Sequence, residues 1–194
     1  MNSLCLKRSI CVRGKSHHCL GRYLANHYMN TVPKRFVTAF LIGCTEPDRN
    51  PATYLKGSIR CQWLRGHNYH NARRFMRRIS VRLETKETWN LWDYYTLGKL
   101  IHYTADAFTS AHNDRFPKEL ADHREYENQL QEHFLRFMAQ DPKVDVDAAR
   151  DVMTIVARFH RDYEQQAPGL HIDSQFALTV SCCIVAMLLT KPIL

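Results

Sequence analysis

Turn-making residues are scarce in this chain: 194 residues contain seven glycines and seven prolines. A fold of many short strands joined by tight turns needs more of both. No stretch of strand length shows two-residue apolar alternation, which removes the other sign of a sheet. The seven cysteines, at 5, 11, 19, 44, 61, 182 and 183, are odd in number and form no C-x-x-C pair. That argues against a disulfide framework and against a thiolate zinc site; reduced thiols in a cytoplasmic protein are the expectation. An apolar leader is missing too, because Lys7, Arg8 and Arg13 interrupt the first fifteen residues. No secretory signal is therefore expected. There is no internal repeat and no low-complexity tract.

Positive charge is plentiful and unevenly placed. The formal net charge is +8, and residues 60–86 carry eight Arg or Lys against one acid, Glu84. Such a band suits an anionic partner such as a phosphate ester, a lipid headgroup or nucleic acid; it is also what the solvated face of a helix looks like. From Ser174 to Thr190 seventeen residues carry no charge, near the lower limit of a membrane span. Gln175, Thr179 and Ser181 interrupt that run, so a buried final helix without stable membrane insertion is expected.

Apolar residues recur at helical spacing almost throughout. They place helices near 17–30, 34–43, 69–87, 89–112, 117–140, 147–166 and 174–190. Pro33 suits the first turn of the second helix, and Asp147 and Asp173 are expected N-caps. In the basic helix Phe75, Ile79 and Leu83 form the buried stripe, with Arg74, Arg77 and Arg78 on another face. Residues 44–66, opening with two prolines in Glu46-Pro47-Asp48-Arg49-Asn50-Pro51, read as a long loop. The expectation is an all-α, single-domain helical bundle over 16–194, preceded by a basic N-terminal extension, 1–15.

Eleven histidines are many for this length, and their spacing matters more than their number. His102 and Asp106 stand four apart in a helical segment, which puts both side chains on one face, one turn apart. His112 follows six residues later. His123 and Glu127 then repeat the one-turn spacing. Two His-x-x-x-acid pairs on neighbouring helices, with a histidine between them, can converge on one space. Imidazole and carboxylate together suit zinc, whereas an all-oxygen set would suit magnesium or calcium. A single such pair is more often a surface pair than a ligand set. Upstream lie Ser16-His17, Asp48 in the expected loop, and His67 just before the basic helix.

The order Ser16-His17, Asp48, His67, Leu100-Ile101-His102-Tyr103-Thr104-Ala105-Asp106, Ala111-His112-Asn113, His123-Arg124-Glu125-Tyr126-Glu127-Asn128 resembles the bacterial zinc-dependent phospholipase C family. The fungal single-strand-specific zinc nucleases share its general plan. The resemblance covers His17 to Asn128 and implies a helical bundle that binds two or three zinc ions. By position, His67, His102 and Asp106 would hold one zinc with Asp48 beside it, and His112, His123 and Glu127 a second. His17 would belong to a third, bridged to the first by Asp106. His70, one turn beyond His67, is the alternative at that position. Asp48 would be the catalytic base. The implied reaction is attack of a metal-activated water on an anionic phosphodiester, a phospholipid or a soluble analogue. Alternatives are a nuclease acting on single strands, which the positive charge would assist, and a non-catalytic metal-binding domain. One departure stands out. Exported members begin their mature chain with a Trp that binds the third zinc, and here no Trp precedes Trp63. A weaker third site is expected.

Overall fold

The computed structural model describes residues 3–49, 69–113, 120–147 and 149–190. Seven α-helices and no strand occur among them. They are α1 (Ser3–Tyr28), α2 (Lys34–Arg49), α3 (Tyr69–Glu84), α4 (Leu91–Ala107), α5 (Leu120–Met138), α6 (Val152–Glu164) and α7 (Leu170–Leu189), with a 3-10 turn, Ser110–His112, after α4. The all-α expectation holds. α1 runs without a break across residues 15 and 16.

The two helices that are apolar on nearly every side form the centre. α4 is buried at every position from Thr96 to Ala107. It packs on α1, α2, α3 and α7, while α7 packs on α1, α4, α5 and α6. α7 is long and apolar enough to cross a membrane, yet 67% of that stretch is buried inside the bundle. Its polar positions Asp173, Ser174 and Ser181 are among the buried ones. The surrounding helices bury one stripe each, as Met76, Ile79 and Leu83 do for α3.

Several expected boundaries shift, each for a local reason. The segment expected to begin a loop at residue 44 is helical to Arg49, with Pro47 inside the last turns of α2. Proline removes one helix hydrogen bond there. Burial of Gly43, Cys44, Thr45 and Pro47 outweighs that loss, so Asp48 sits on a helix and not in a loop. Residues 50–68, with His67, lie outside the described residues. The helix expected over 89–112 stops at Ala107. Asn113 donates its side-chain amide to the Ala107 and Thr109 carbonyls, which closes α4 and starts the 3-10 turn. α6 is capped by Asp151, whose carboxylate accepts from Thr154 N, and not by Asp147. α7 begins a turn before Asp173, with Gly169 at its N-cap.

α2 and α4 cross with their backbones in contact. A Cβ on Gly43 would overlap the Tyr95 carbonyl oxygen, and one on Gly98 would overlap the Phe40 carbonyl oxygen. Two glycines thus let two backbones touch, and those backbones carry Asp48, His102 and Asp106. Gly98→Ala is expected to destabilise the fold by about 1–3 kcal/mol, the usual cost of overpacking. Gly14→Ala, where open space surrounds the glycine, should be neutral or stabilising by up to about 1 kcal/mol. Denaturant unfolding of the two variants checks the contrast; equal midpoints would contradict it.

Candidate metal centre

The candidate ligands come from five parts of the bundle. His17 projects from α1, Asp48 from α2, His102 and Asp106 from α4, His112 from the 3-10 turn, and Glu127 from α5. The bundle brings four of them into one buried cluster. His17 Nε2 lies 3.2 Å from Asp106 Oδ1, and His102 Nε2 lies 3.2 Å from Asp106 Oδ2. Asp106 therefore has one imidazole on each oxygen. Asp48 completes the group, with Oδ1 3.7 Å from His102 Nε2 and Oδ2 3.9 Å from His17 Nε2. The two imidazole rings lie 4.0 Å apart between centroids. Donor atoms of His17, Asp48 and His102 all fall within 4.8 Å of one another.

A second pair stands alongside. His112 Nε2 is 3.5 Å from Glu127 Oε1. His17, Asp48, Asp106, His112 and Glu127 line one cavity of about 90 Å³. Its walls continue to apolar Leu20, Leu130 and Phe134, with Arg124 also lining it. His123 lies on α5 one turn before Glu127, but its side chain is outside the described residues, as is the whole of His67. The alternative, His70, is exposed at the start of α3.

The chemistry of the donors fits a cation. His102 is fully buried, and its Nδ1–H donates to the Cys44 carbonyl at 3.0 Å. That bond leaves the Nε2 lone pair aimed at the two carboxylates, the tautomer a metal ligand needs. Asp48 Oδ2 is buried and has no hydrogen-bond partner. Leaving a buried carboxylate oxygen unpaired is costly unless a cation serves it. Lys99 does not fill that role: its ammonium pairs with Glu46 Oε2 at 2.8 Å and ties the last turns of α2 to α4. Two imidazoles and two carboxylates form a nitrogen–oxygen set that zinc accepts.

Electrostatics agree with the geometry. Burial pushes the Asp106 carboxyl upward, but His102, His112 and His17 outweigh it and hold the group well below the usual carboxylate range. Burial pushes His17 downward, yet Asp106, Asp48 and Glu127 together carry it above its ordinary 6.5. The site thus attracts positive charge, whether as protons or as metal.

A family model described as zinc dependent phospholipase C matches residues 16–170. An all-helical bundle closing a His/carboxylate cluster in a cavity is the class of protein the structure defines, and this chain belongs to the zinc dependent phospholipase C family. Zinc dependence comes with that family. No curated protein and no solved structure matches the chain.

Two features had no clear sign in the sequence. The Cys44 carbonyl acts through the backbone and leaves no residue signature. Asp173 lines the same cavity from α7, though its position suggested only an N-cap.

The raised pKa of His17 sets a pH dependence. A protonated imidazole cannot ligate, so zinc must displace its proton, and more of it as pH falls toward and below the raised pKa. Apparent zinc affinity of the metal-free protein is expected to weaken steadily from about pH 8 to about pH 6, with protons released on binding. Calorimetry in buffers of different ionisation enthalpy measures this. A pH-independent affinity with no proton release would contradict the assignment of His17.

Proposed function

We propose that the protein is a zinc-dependent phosphodiesterase of the phospholipase C type, with His17, Asp48, His102 and Asp106 holding metal and His112, His123 and Glu127 holding a second ion. The observation that carries this reading is the cluster itself: four side chains from three helices, His102 and Asp106 buried and His17 and Asp48 partly so, converging on Asp106, with Asp48 Oδ2 unpartnered. His67 enters as a further ligand through the family order alone. Zinc bound there would polarise a phosphoryl oxygen and bring the pKa of a water toward neutrality.

The chain's own residues supply the rest. Asp48 Oδ2 can accept the proton of an attacking water at the cavity wall, or fix that water's direction. His102 is held rigid by the Cys44 carbonyl, so its Nε2 keeps one orientation through the reaction. Arg124 lines the cavity and attracts a phosphodiester anion. Leu20, Leu130 and Phe134 offer apolar surface to an alkyl or acylglycerol part of the substrate. The exposed arginines of α3, Arg73, Arg74, Arg77 and Arg78, favour a second reading, a nuclease drawing in a polyanion. The buried free thiols Cys44, Cys182 and Cys183 suit a reducing compartment, and we place the protein in the cytoplasm.

The test is a metal count together with a substrate panel. Zinc should co-purify, and hydrolysis of a short-chain phospholipid or a chromogenic phosphodiester should vanish on chelation and return with added zinc. Asp48→Asn should lower kcat by about 100-fold or more, the usual range for losing a general base, while keeping most of the metal. Asp106→Asn should lose metal itself. A metal-loaded protein inactive on every phosphodiester would sink the catalytic reading, and preferential cleavage of single-stranded nucleic acid would select the second one.

A further inference from the structure

Asp173 lies three residues beyond the last residue the family model matches. It is 1% exposed, on the first turn of α7. Its carboxylate accepts four hydrogen bonds from three other parts of the chain. Oδ2 takes the Ser110 backbone N–H at 2.7 Å and the Tyr126 hydroxyl at 2.8 Å. Oδ1 takes the Ser110 hydroxyl at 2.8 Å and the Tyr163 hydroxyl at 2.7 Å. A carboxylate offers about four acceptor sites, so Asp173 is saturated and has no lone pair left for a metal. It lines the cavity without being a ligand.

The identity of its partners gives it a role. Ser110 is the first residue of the 3-10 turn that ends in His112, and Tyr126 immediately precedes Glu127 on α5. A single carboxylate therefore ties the backbone of the turn that carries His112 to the side chain of the residue before Glu127, and the two ligands come from different elements. The far side of the turn is held as well. His160 Nε2–H donates to Asn113 Oδ1 at 3.2 Å, and Asn113 donates back to the Ala107 and Thr109 carbonyls. His112 thus sits between two braces from α6 and α7. Asn113 is extended after the 3-10 turn, so His112 and Glu127 do not share a helix, and their separation depends on how the turn is held against α5.

We propose that Asp173 is a positioning residue of the second metal site, setting the distance between His112 and Glu127 by binding the chain next to each. The proposal rests on reading His112 and Glu127 as zinc ligands. It predicts that the family's ligand order is not sufficient for full metal loading, because one requirement is met from α7, outside the matched region.

The test compares two buried carboxylates. Asp93 is 0% exposed and also accepts several bonds, from Arg82, Lys86 and the Asn90 N–H. It stands at the far end of α4, about 20 Å along the helix from Asp106. Asp173→Asn and Asp93→Asn should both lower thermal stability. Only Asp173→Asn should weaken one bound ion, by about 10- to 100-fold, the usual effect of losing a residue that orients ligands. Competition titration with zinc and the absorption spectrum of the cobalt(II) protein read this without reference to activity. Tyr126→Phe, which removes one bond and no charge, should weaken the same ion by less and keeps the question open to measurement where Asp173→Asn fails to fold. Unchanged affinities in Asp173→Asn and Tyr126→Phe, or an equal loss in Asp93→Asn, would overturn the proposal. His112→Ala tests the reading beneath it separately: full metal content in that variant would remove the second site, and the positioning role with it.

Discussion

Asp48 and Asp106 place two negative charges in a buried pocket between α1, α2 and α4, and the arrangement around them is governed by how those charges are neutralised. An uncompensated buried carboxylate costs several kcal/mol. Asp106 is served by an imidazole on each oxygen, while Asp48 Oδ2 has none within hydrogen-bond reach. Protons on the histidines can supply the missing positive charge, and so can a dication. The two compete for the same nitrogen lone pairs. The features that raise the proton affinity of His17 are therefore the features that make the pocket a metal site.

That pocket exists only because α2 and α4 approach closely. Gly43 and Gly98 remove the side chains that would separate the two backbones. The approach brings the Cys44 carbonyl to His102 Nδ1, and this fixes which nitrogen faces the carboxylates. Helix packing thereby becomes a choice of tautomer, and the tautomer decides whether the group can ligate. The Lys99–Glu46 pair adds a second tie at the same crossing, with Glu46 two residues before Asp48. A mutation there would reach the metal centre without touching a ligand.

Much of this was legible from residue order, and the reason is geometric. His102 and Asp106 share a face because helical spacing demands it, and the family resemblance supplied the partners. The all-helical class followed from apolar spacing and the scarcity of turn-makers. What the sequence misplaced is also instructive. Pro47 reads as a loop residue by local preference, but burial of its neighbours keeps α2 helical through Asp48. The 89–112 segment reads as one helix by its apolar spacing, which takes no account of what Thr109, Ser110 and the following Asn113 bond. Their side chains instead bond the backbone and Asp173, and the helix ends. Asp173 looked like an N-cap because it is an acid near a helix start. Its three partner residues lie 10 to 63 residues away, and no local rule contains them.

Among the described residues three aspartates are buried, all on the central helices, and each is stabilised by a different kind of partner. Asp93 meets cations: burial alone would raise its pKa, but Lys86, the Asn90 N–H and Arg82 pull it below the ordinary value. Asp173 meets only neutral donors, and four of them do not fully offset burial, so its pKa stays above the ordinary value. Asp106 meets imidazoles, whose charge is itself adjustable, and is held well below the usual range. Fixed cations make Asp93 a permanent clamp on the start of α4. Neutral donors make Asp173 a geometric tie whose four accepted bonds leave no lone pair for the ions of the centre beside it. Adjustable partners give Asp106, like Asp48 beside it, surroundings that can exchange protons for metal. The difference between scaffold and site in this bundle thus lies in what faces each carboxylate, and not in how deeply it is buried.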